Sequence, residues 1–317
     1  MIGVGTWAWG NRLLWGYRPE RDDPALRATF QKAVESGLYL FDTAGSYGTG
    51  RFHGRSESLL GEFAETCTEE EASSLLVAAK LAPYPWRLGR QGLRWAFDAS
   101  RERLKGHLHR VQLHWSTARY APWQEGPLVD GLADLVLAGD VDQLGLSNMG
   151  PKHLFRVQRH LAERGVRLSS LQVQASLLCP DPLLEGGVGV LCRELDVELM
   201  AYSPLALGLL SIPPGEAGAA QGGLRGALYR RLLPRIQSLL GLMADIAAGR
   251  GASQAQVAIN WCRFHGALPL VGMRREAHVN DARQALGWTL NSDEAARLTE
   301  LSLGLQARMP ANPFQSD

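Results

Sequence analysis

The sequence predicts an α/β fold in which eight parallel strands, each followed by a helix, close into a barrel. Three observations lead there. The chain carries eight short apolar runs, helix-length amphipathic stretches between them, and no glycine fingerprint for an open dinucleotide-binding sheet. The runs are residues 2–7, 38–41, 74–80, 108–114, 141–147, 171–175, 197–202 and 267–271. Nearly continuous apolar strands are the mark of a parallel sheet covered on both faces, and eight repeats favour the (β/α)8, or TIM, barrel.

The elements follow in order. After the first run the chain reads Gly3-Val4-Gly5-Thr6-Trp7-Ala8, which lacks the GxGxxG phosphate turn of a doubly wound sheet. Residues 24–36, 57–65, 92–104, 128–138 and 151–164 each have one polar and one apolar face at helical period. Residues 207–226 break the rhythm with many glycines and the pair Pro213-Pro214, and are expected to form a long mobile loop after strand seven. A last helix is expected over 292–301, capped by Asn291 or Ser292, with an irregular tail over 306–317. No stretch has linker composition, so residues 1–317 are expected to form one domain.

Bulk properties narrow the function class. A net charge of +1 favours neither nucleic acid nor an anionic membrane as partner. No apolar run approaches the roughly 18 residues needed to cross a bilayer. Cys67, Cys179, Cys192 and Cys262 show no metal-ligand spacing and are expected to be buried or idle thiols. Met1 is followed at once by the first apolar run, with no visible signal or transit peptide. That start suits a cytoplasmic protein or a shortened chain.

In such barrels chemistry sits at the C-terminal ends of the strands. Strand two ends in Asp42, strand three in Lys80 and strand four in His114, with Tyr47 one short loop beyond Asp42. Tyrosine ionises near pH 10, and an ammonium beside it is expected to lower that value. A carboxylate behind the lysine keeps it charged, and a histidine can donate to a carbonyl oxygen. The group of four suits protonation of a C=O oxygen while a hydride reaches the carbon. Because no side chain supplies hydride, a nicotinamide or flavin is required. His107, His109 and His114 do not form a metal site, since His114 is an odd number of residues from the other two and faces away. A serine-hydrolase elbow Gly-x-Ser-x-Gly is also absent.

The stretches Phe41-Asp42-Thr43-Ala44-Gly45-Ser46-Tyr47-Gly48, Gly145-Leu146-Ser147-Asn148 and Ala201-Tyr202-Ser203-Pro204-Leu205 resemble the aldo-keto reductase signatures. The resemblance runs from Gly3 to about residue 300. It implies that Tyr47, Asp42, Lys80 and His114 are the catalytic tetrad. It also implies that Ser147, Asn148 and Gln172 hold a nicotinamide carboxamide and that Tyr202 stacks on the ring. The phosphates would be met by Ser203, Leu205 and Gly208. In the loop after strand eight, Gly272-Met273-Arg274-Arg275, the guanidiniums of Arg274 and Arg275 suit the 2′-phosphate of NADPH. Two positions depart from the family pattern: Ala282 stands where many relatives place an adenine-contacting asparagine, and Gly45 where an aspartate is common.

A narrower similarity, to plant chloroplast pyridoxal reductases, rests on longer stretches: Gly5-Thr6-Trp7-Ala8-Trp9-Gly10-Asn11, Tyr84-Pro85-Trp86-Arg87-Leu88 and Gln112-Leu113-His114-Trp115-Ser116-Thr117. It implies a small aldehyde substrate, pyridoxal reduced to pyridoxine, and a chloroplast stroma location for a plant-type protein. Trp9, Trp86 and Trp115 are then expected to line the mouth of the pocket, where a flat ring can stack. A broad-specificity aldehyde reductase and a cofactor-sensing channel subunit remain alternatives within the same resemblance.

Overall fold

A computed structural model describes residues 1–216 and 222–316. Eight strands, β1 (Gly3–Gly5), β2 (Leu40–Ala44), β3 (Leu76–Leu81), β4 (Arg110–Leu113), β5 (Gln143–Ser147), β6 (Leu168–Gln174), β7 (Glu198–Tyr202) and β8 (Leu268–Gly272), pair in parallel and in chain order. β1 closes the ring on β8 through Gly3↔Leu270, Val4↔Val271 and Gly5↔Gly272. The (β/α)8 barrel expected from the apolar runs is therefore the observed fold.

The helices cover the outside for reasons written in their residues. Helix α1 (Pro19–Glu35) starts on Pro19, which fixes the first helical φ, and carries Glu20 and Asp22 against the positive end of its dipole. It begins five residues earlier than expected, because the N-terminal role belongs to Pro19 and not Pro24. Its buried Leu26, Phe30, Ala33 and Val34 recur at helical spacing, and Phe30 lies 4.9 Å from the Phe41 ring of β2. Helices α2 (Arg55–Ala64), α3 (Gly89–Arg103), α4 (Pro122–Leu137) and α5 (Pro151–Glu163) follow β2 to β5 in the same manner. A short helix over Glu69–Ser74, closed by a Thr68/Glu71 capping box, replaces the beginning expected for the third strand. The last helix, Ser292–Gly304, is capped by Asn291 with Glu294 reciprocating.

The stretch expected to be one long loop is more structured. Residues Ala206–Ser211 form a 3-10 turn and Gly223–Leu232 form a helix. The remainder of that expectation, over 217–221, lies outside the described residues.

Strand alternation sorts the side chains. Phe41, Val77 and Val111 point outward into the large core beneath the helices. Inward, Leu40, Ala78, Met200, Leu268 and Leu270 form a small apolar plug in the middle of the barrel. Below the plug lies a polar group in which Arg110 donates to Gln143 at 2.7 Å and to Glu198 at 2.8 Å. Above it, toward the C-terminal rim, the inward positions are Asp42, Lys80, Gln112 and Gln172, all of them buried. The site stands on that upper layer.

Candidate active site

Asp42 and Lys80 face each other from neighbouring strands and form a charge-paired hydrogen bond through Asp42 Oδ2. Both are nearly inaccessible to solvent. The other carboxylate oxygen, Oδ1, accepts from Gln112 Nε2 at 3.1 Å and from Gln172 Nε2 at 2.7 Å. Burial pulls the Lys80 ammonium below the ordinary lysine value, and the Asp42 carboxylate works against that pull. Lys80 Nζ lies 5.0 Å from the centre of the Tyr47 ring. His114 completes the group, its ring 6.0 Å from that of Tyr47 and its Nδ1 3.4 Å from Ser46 Oγ.

One expectation is reversed here. The protein does not lower the Tyr47 pKa: burial first, and the Asp42 carboxylate second, hold the phenol well above its usual range. The lysine sits against the ring face, while removal from water dominates at the hydroxyl. Tyr47 therefore keeps its proton through neutral pH, the state a proton donor needs. Burial, reinforced by Lys80, holds His114 well below the ordinary histidine value, so its imidazole is neutral.

The expected nicotinamide contacts gather beside this group. Asn148 donates to the His114 carbonyl at 2.9 Å and to Ser147 Oγ at 3.1 Å, and accepts from the Tyr202 hydroxyl at 2.9 Å. Among the described residues six non-glycine positions have positive φ, and four of them, Asn148, Ser203, Ala206 and Leu207, sit just past β5 and β7. Such backbone conformations cost roughly 1–3 kcal/mol each and persist where surrounding structure imposes them, often at ligand sites. Gly208 has φ of +97°, and a Cβ there would lie 2.9 Å from the Tyr229 hydroxyl and 3.0 Å from Arg225 Nη2. Ser203, Leu205 and Gly208 thus line one tight turn at the rim.

Across the mouth, Arg274 lies over the Trp15 ring at 5.7 Å and 3.6 Å from Asp22, with Arg225 on the same indole at 4.2 Å. Arg275 is exposed beside it, and Gly272 has open space where a Cβ would stand. The donor set fits a bound dinucleotide: Gln172 Oε1 accepts nothing among the described residues, and two arginines face an open rim. Ala282 is fully buried and offers no polar atom. Gly45 has a structural reason: a Cβ there would lie 3.1 Å from Arg103 Nη2, whose guanidinium pairs with buried Glu57 through Nε at 2.7 Å.

The three tryptophans do not share one role. Trp9 is not at the mouth. It is fully buried, packs on Phe63 at 5.9 Å and donates its indole N–H to the Met273 carbonyl at 2.9 Å. The turn after β1 points it into the core, where its apolar area outweighs any gain from the rim. Trp115 does lie at the mouth, 4.9 Å from His114, and Trp86 is an exposed ring stacked on Tyr84 at 4.7 Å.

The sequence reading missed the C-terminal tail. Phe314 stacks on Trp115 at 4.4 Å. Asn312 Nδ2 donates to Asn148 Oδ1 at 2.8 Å and to the Tyr202 hydroxyl at 2.7 Å. The Ser316 N–H reaches the Asn148 carbonyl at 3.1 Å. Nothing local in the sequence marks these residues. Gln112 was also missed, although it shares the inward strand face of His114 two residues away.

Comparison with known proteins agrees with this fold. The profile of the Aldo/keto reductase family matches residues 1–303. A curated relative from Arabidopsis thaliana, "Pyridoxal reductase, chloroplastic", is 44% identical across 99% of this chain and 86% of its own. An uncharacterised oxidoreductase of Mycobacterium tuberculosis is 34% identical across 82% of this chain and 76% of its own. Among solved structures, a thermostable aldo-keto reductase, Tm1743, superposes with a TM-score of 0.74 at 22% identity, covering 95% of this chain and 94% of that one. An aldo-keto reductase from Klebsiella pneumoniae in complex with NADPH superposes with a TM-score of 0.71 at 23% identity, covering 100% and 94%.

Proposed function

The chain belongs to the aldo/keto reductase family, and on that premise we propose that residues 1–317 act as one NADPH-dependent oxidoreductase domain reducing an aldehyde to an alcohol. The observation that carries this is the buried Asp42–Lys80 pair beneath a protonated Tyr47, with a neutral His114 beside it. Bound NADPH supplies the hydride. Everything else is asked of this chain's own residues.

Tyr47 is the proton donor. Its raised pKa keeps the proton in place until negative charge develops on the carbonyl oxygen, and then the phenol is the acid at hand. Lys80, held charged by Asp42, stabilises the phenolate left behind. His114 orients the carbonyl oxygen as a neutral hydrogen-bonding partner. Ser147, Asn148 and Gln172 hold the carboxamide, Tyr202 supports the ring, and Ser203, Leu205 and Gly208 meet the phosphates. Gly272, Arg274 and Arg275 receive the 2′-phosphate, which favours NADPH over NADH.

For the substrate we propose pyridoxal. The Arabidopsis relative bears that activity in its name, and aromatic rings cluster beside His114, Trp115 stacked on Phe314 and edge-on to Tyr84, which stacks on the exposed Trp86, a surface suited to a flat heteroaromatic ring. No helix among the described residues is long and apolar enough to cross a membrane. A stromal site of action is the matching proposal for a plant-type protein, checked by plastid fractionation.

The test is NADPH oxidation with pyridoxal beside 4-nitrobenzaldehyde. A dedicated enzyme favours pyridoxal in kcat/KM by more than about a hundredfold; comparable values would make pyridoxal one substrate among several. In the same assay Tyr47→Phe binds NADPH normally and loses most turnover.

A further inference from the structure

We infer that Gln112 is a positioning residue for proton transfer: together with Gln172 its amide fixes the Asp42 carboxylate so that Oδ2 faces Lys80. The inference rests on the reductase reading above and adds a residue to it.

Gln112 is completely buried and projects inward from β4, between the apolar plug and the site. Barrel layers at this depth are ordinarily built of branched apolar side chains. Here β2, β4 and β6 contribute Asp42, Gln112 and Gln172 instead. A buried amide without a bonding task is a standing cost, so this glutamine calls for a task. Its Nε2 donates to Asp42 Oδ1 at 3.1 Å, and its Oε1 lies 3.4 Å from Gln172 Nε2. Gln172 donates to the same Asp42 oxygen at 2.7 Å. Asp42 is therefore gripped from three strands: lysine on one oxygen, two amides on the other. Without Gln112 the carboxylate keeps Lys80 on one oxygen and a single amide, Gln172, on the other, and any rotation about its Cβ–Cγ bond moves the ammonium that lies against Tyr47.

A second feature fits the same role. The neighbouring strand β5 carries Gly145 opposite Gln112. A Cβ at Gly145 would stand 2.9 Å from Gln112 Cγ and 2.5 Å from Ser170 Oγ. The missing side chain leaves the room that Gln112 Cγ and Ser170 Oγ occupy.

Three variants, assayed with NADPH and 4-nitrobenzaldehyde across a pH series, test this. Gln112→Met keeps the volume and removes the donor; kcat falls about tenfold, with KM and the NADPH Kd within about twofold of the parent. Gln112→Glu keeps the shape but sets a second carboxylate against Asp42 Oδ1. Such a pair shares one proton on the acidic side, and the protonated Glu O–H can then donate as the amide did. Its kcat is low at neutral pH and recovers toward acid, as any carboxylate set against Asp42 requires, so the loss of kcat at unchanged KM in Gln112→Met is the readout that separates a donor from a space-filling side chain. Gly145→Ala, which displaces Gln112 from outside, lowers kcat without acid recovery.

Tyr47→Phe is the control. If it is inactive while the Gln112 variants keep the parent's kcat and pH profile, Gln112 only fills space and the inference is overturned with the reductase reading intact. If Gln112→Met raises the NADPH Kd and spares kcat, the residue acts on the cofactor through Gln172 and the inference is again overturned. If Tyr47→Phe retains full turnover, the proton-donor reading and this inference fall together.

Discussion

Consider the Asp42–Lys80 pair taken apart one residue at a time. Lys80→Met leaves a buried carboxylate without its counter-charge, though Gln112 and Gln172 still donate to it. Breaking a buried pair by removing one partner costs about 3–5 kcal/mol. With two amides remaining, we place Lys80→Met near 3 kcal/mol. Asp42→Asn is worse, near 4 kcal/mol, because Lys80 then keeps no direct ion pair among the described residues and only the more distant pull of Glu57. Unfolding entropy of roughly 2.1 cal/mol/K per residue over 317 residues gives about 0.7 kcal/mol per degree. The single variants therefore melt about 4 °C and 6 °C below the parent. The double variant, Asp42→Asn with Lys80→Met, removes both charges at once and melts within about 2 °C of the parent. All three lose reduction by more than about a hundredfold. Circular-dichroism melts and NADPH oxidation on the same samples give both numbers. A double variant melting about 10 °C low, the simple sum, would refute the coupling and with it the claim that the pair is held by mutual charge.

Arg274→Ala with Arg275→Ala raises KM for NADPH at least about tenfold while KM for NADH stays within about twofold; equal changes would deny these residues the 2′-phosphate. Asn312→Ala removes the two donors now bonded to Asn148 and Tyr202, and titration by protein fluorescence should show NADPH binding about fivefold tighter. Weaker binding would mean that Asn312 belongs to the bound state. Reduction should hold steady through neutral pH, since Tyr47 is protonated and His114 neutral there. It should decline on the alkaline side below the pH of an ordinary lysine, as Lys80 loses its proton. An alkaline limb at or above the ordinary lysine value would assign the decline to another group.

The parts of the site that lie on strands were legible. Asp42, Lys80 and His114 stand at or beside the C-terminal ends of apolar runs, and a strand's alternation states which way each points, whereas Ser147 and Gln172 were reached through the family resemblance. Trp9 was misplaced because it lies in a turn, where no period fixes direction; contact with Phe63 and Met273 decides it. Phe314 and Asn312 come from a tail that meets partners far away in the chain, Asn312 reaching Asn148 across 164 positions. No local pattern encodes such a return. The Tyr47 pKa was misjudged for a different reason: proximity to Lys80 is visible in the motif, but the depth of burial that outweighs it is a property of the folded barrel.

The ring also divides its labour. Strands β2 to β4 bring Asp42, Lys80, Gln112 and His114; strands β5 to β8 bring Ser147, Gln172, Tyr202 and the approach to Arg274. Proton delivery is thus assembled by one half of the chain and the proposed cofactor seat by the other. Gln172 bonded to Asp42, 130 positions earlier, stitches the halves together. Neither half holds a usable fragment of the reaction. Turnover is therefore a test of closure, and any opening of the barrel that parts β2 from β6 should silence the enzyme before the helices have melted.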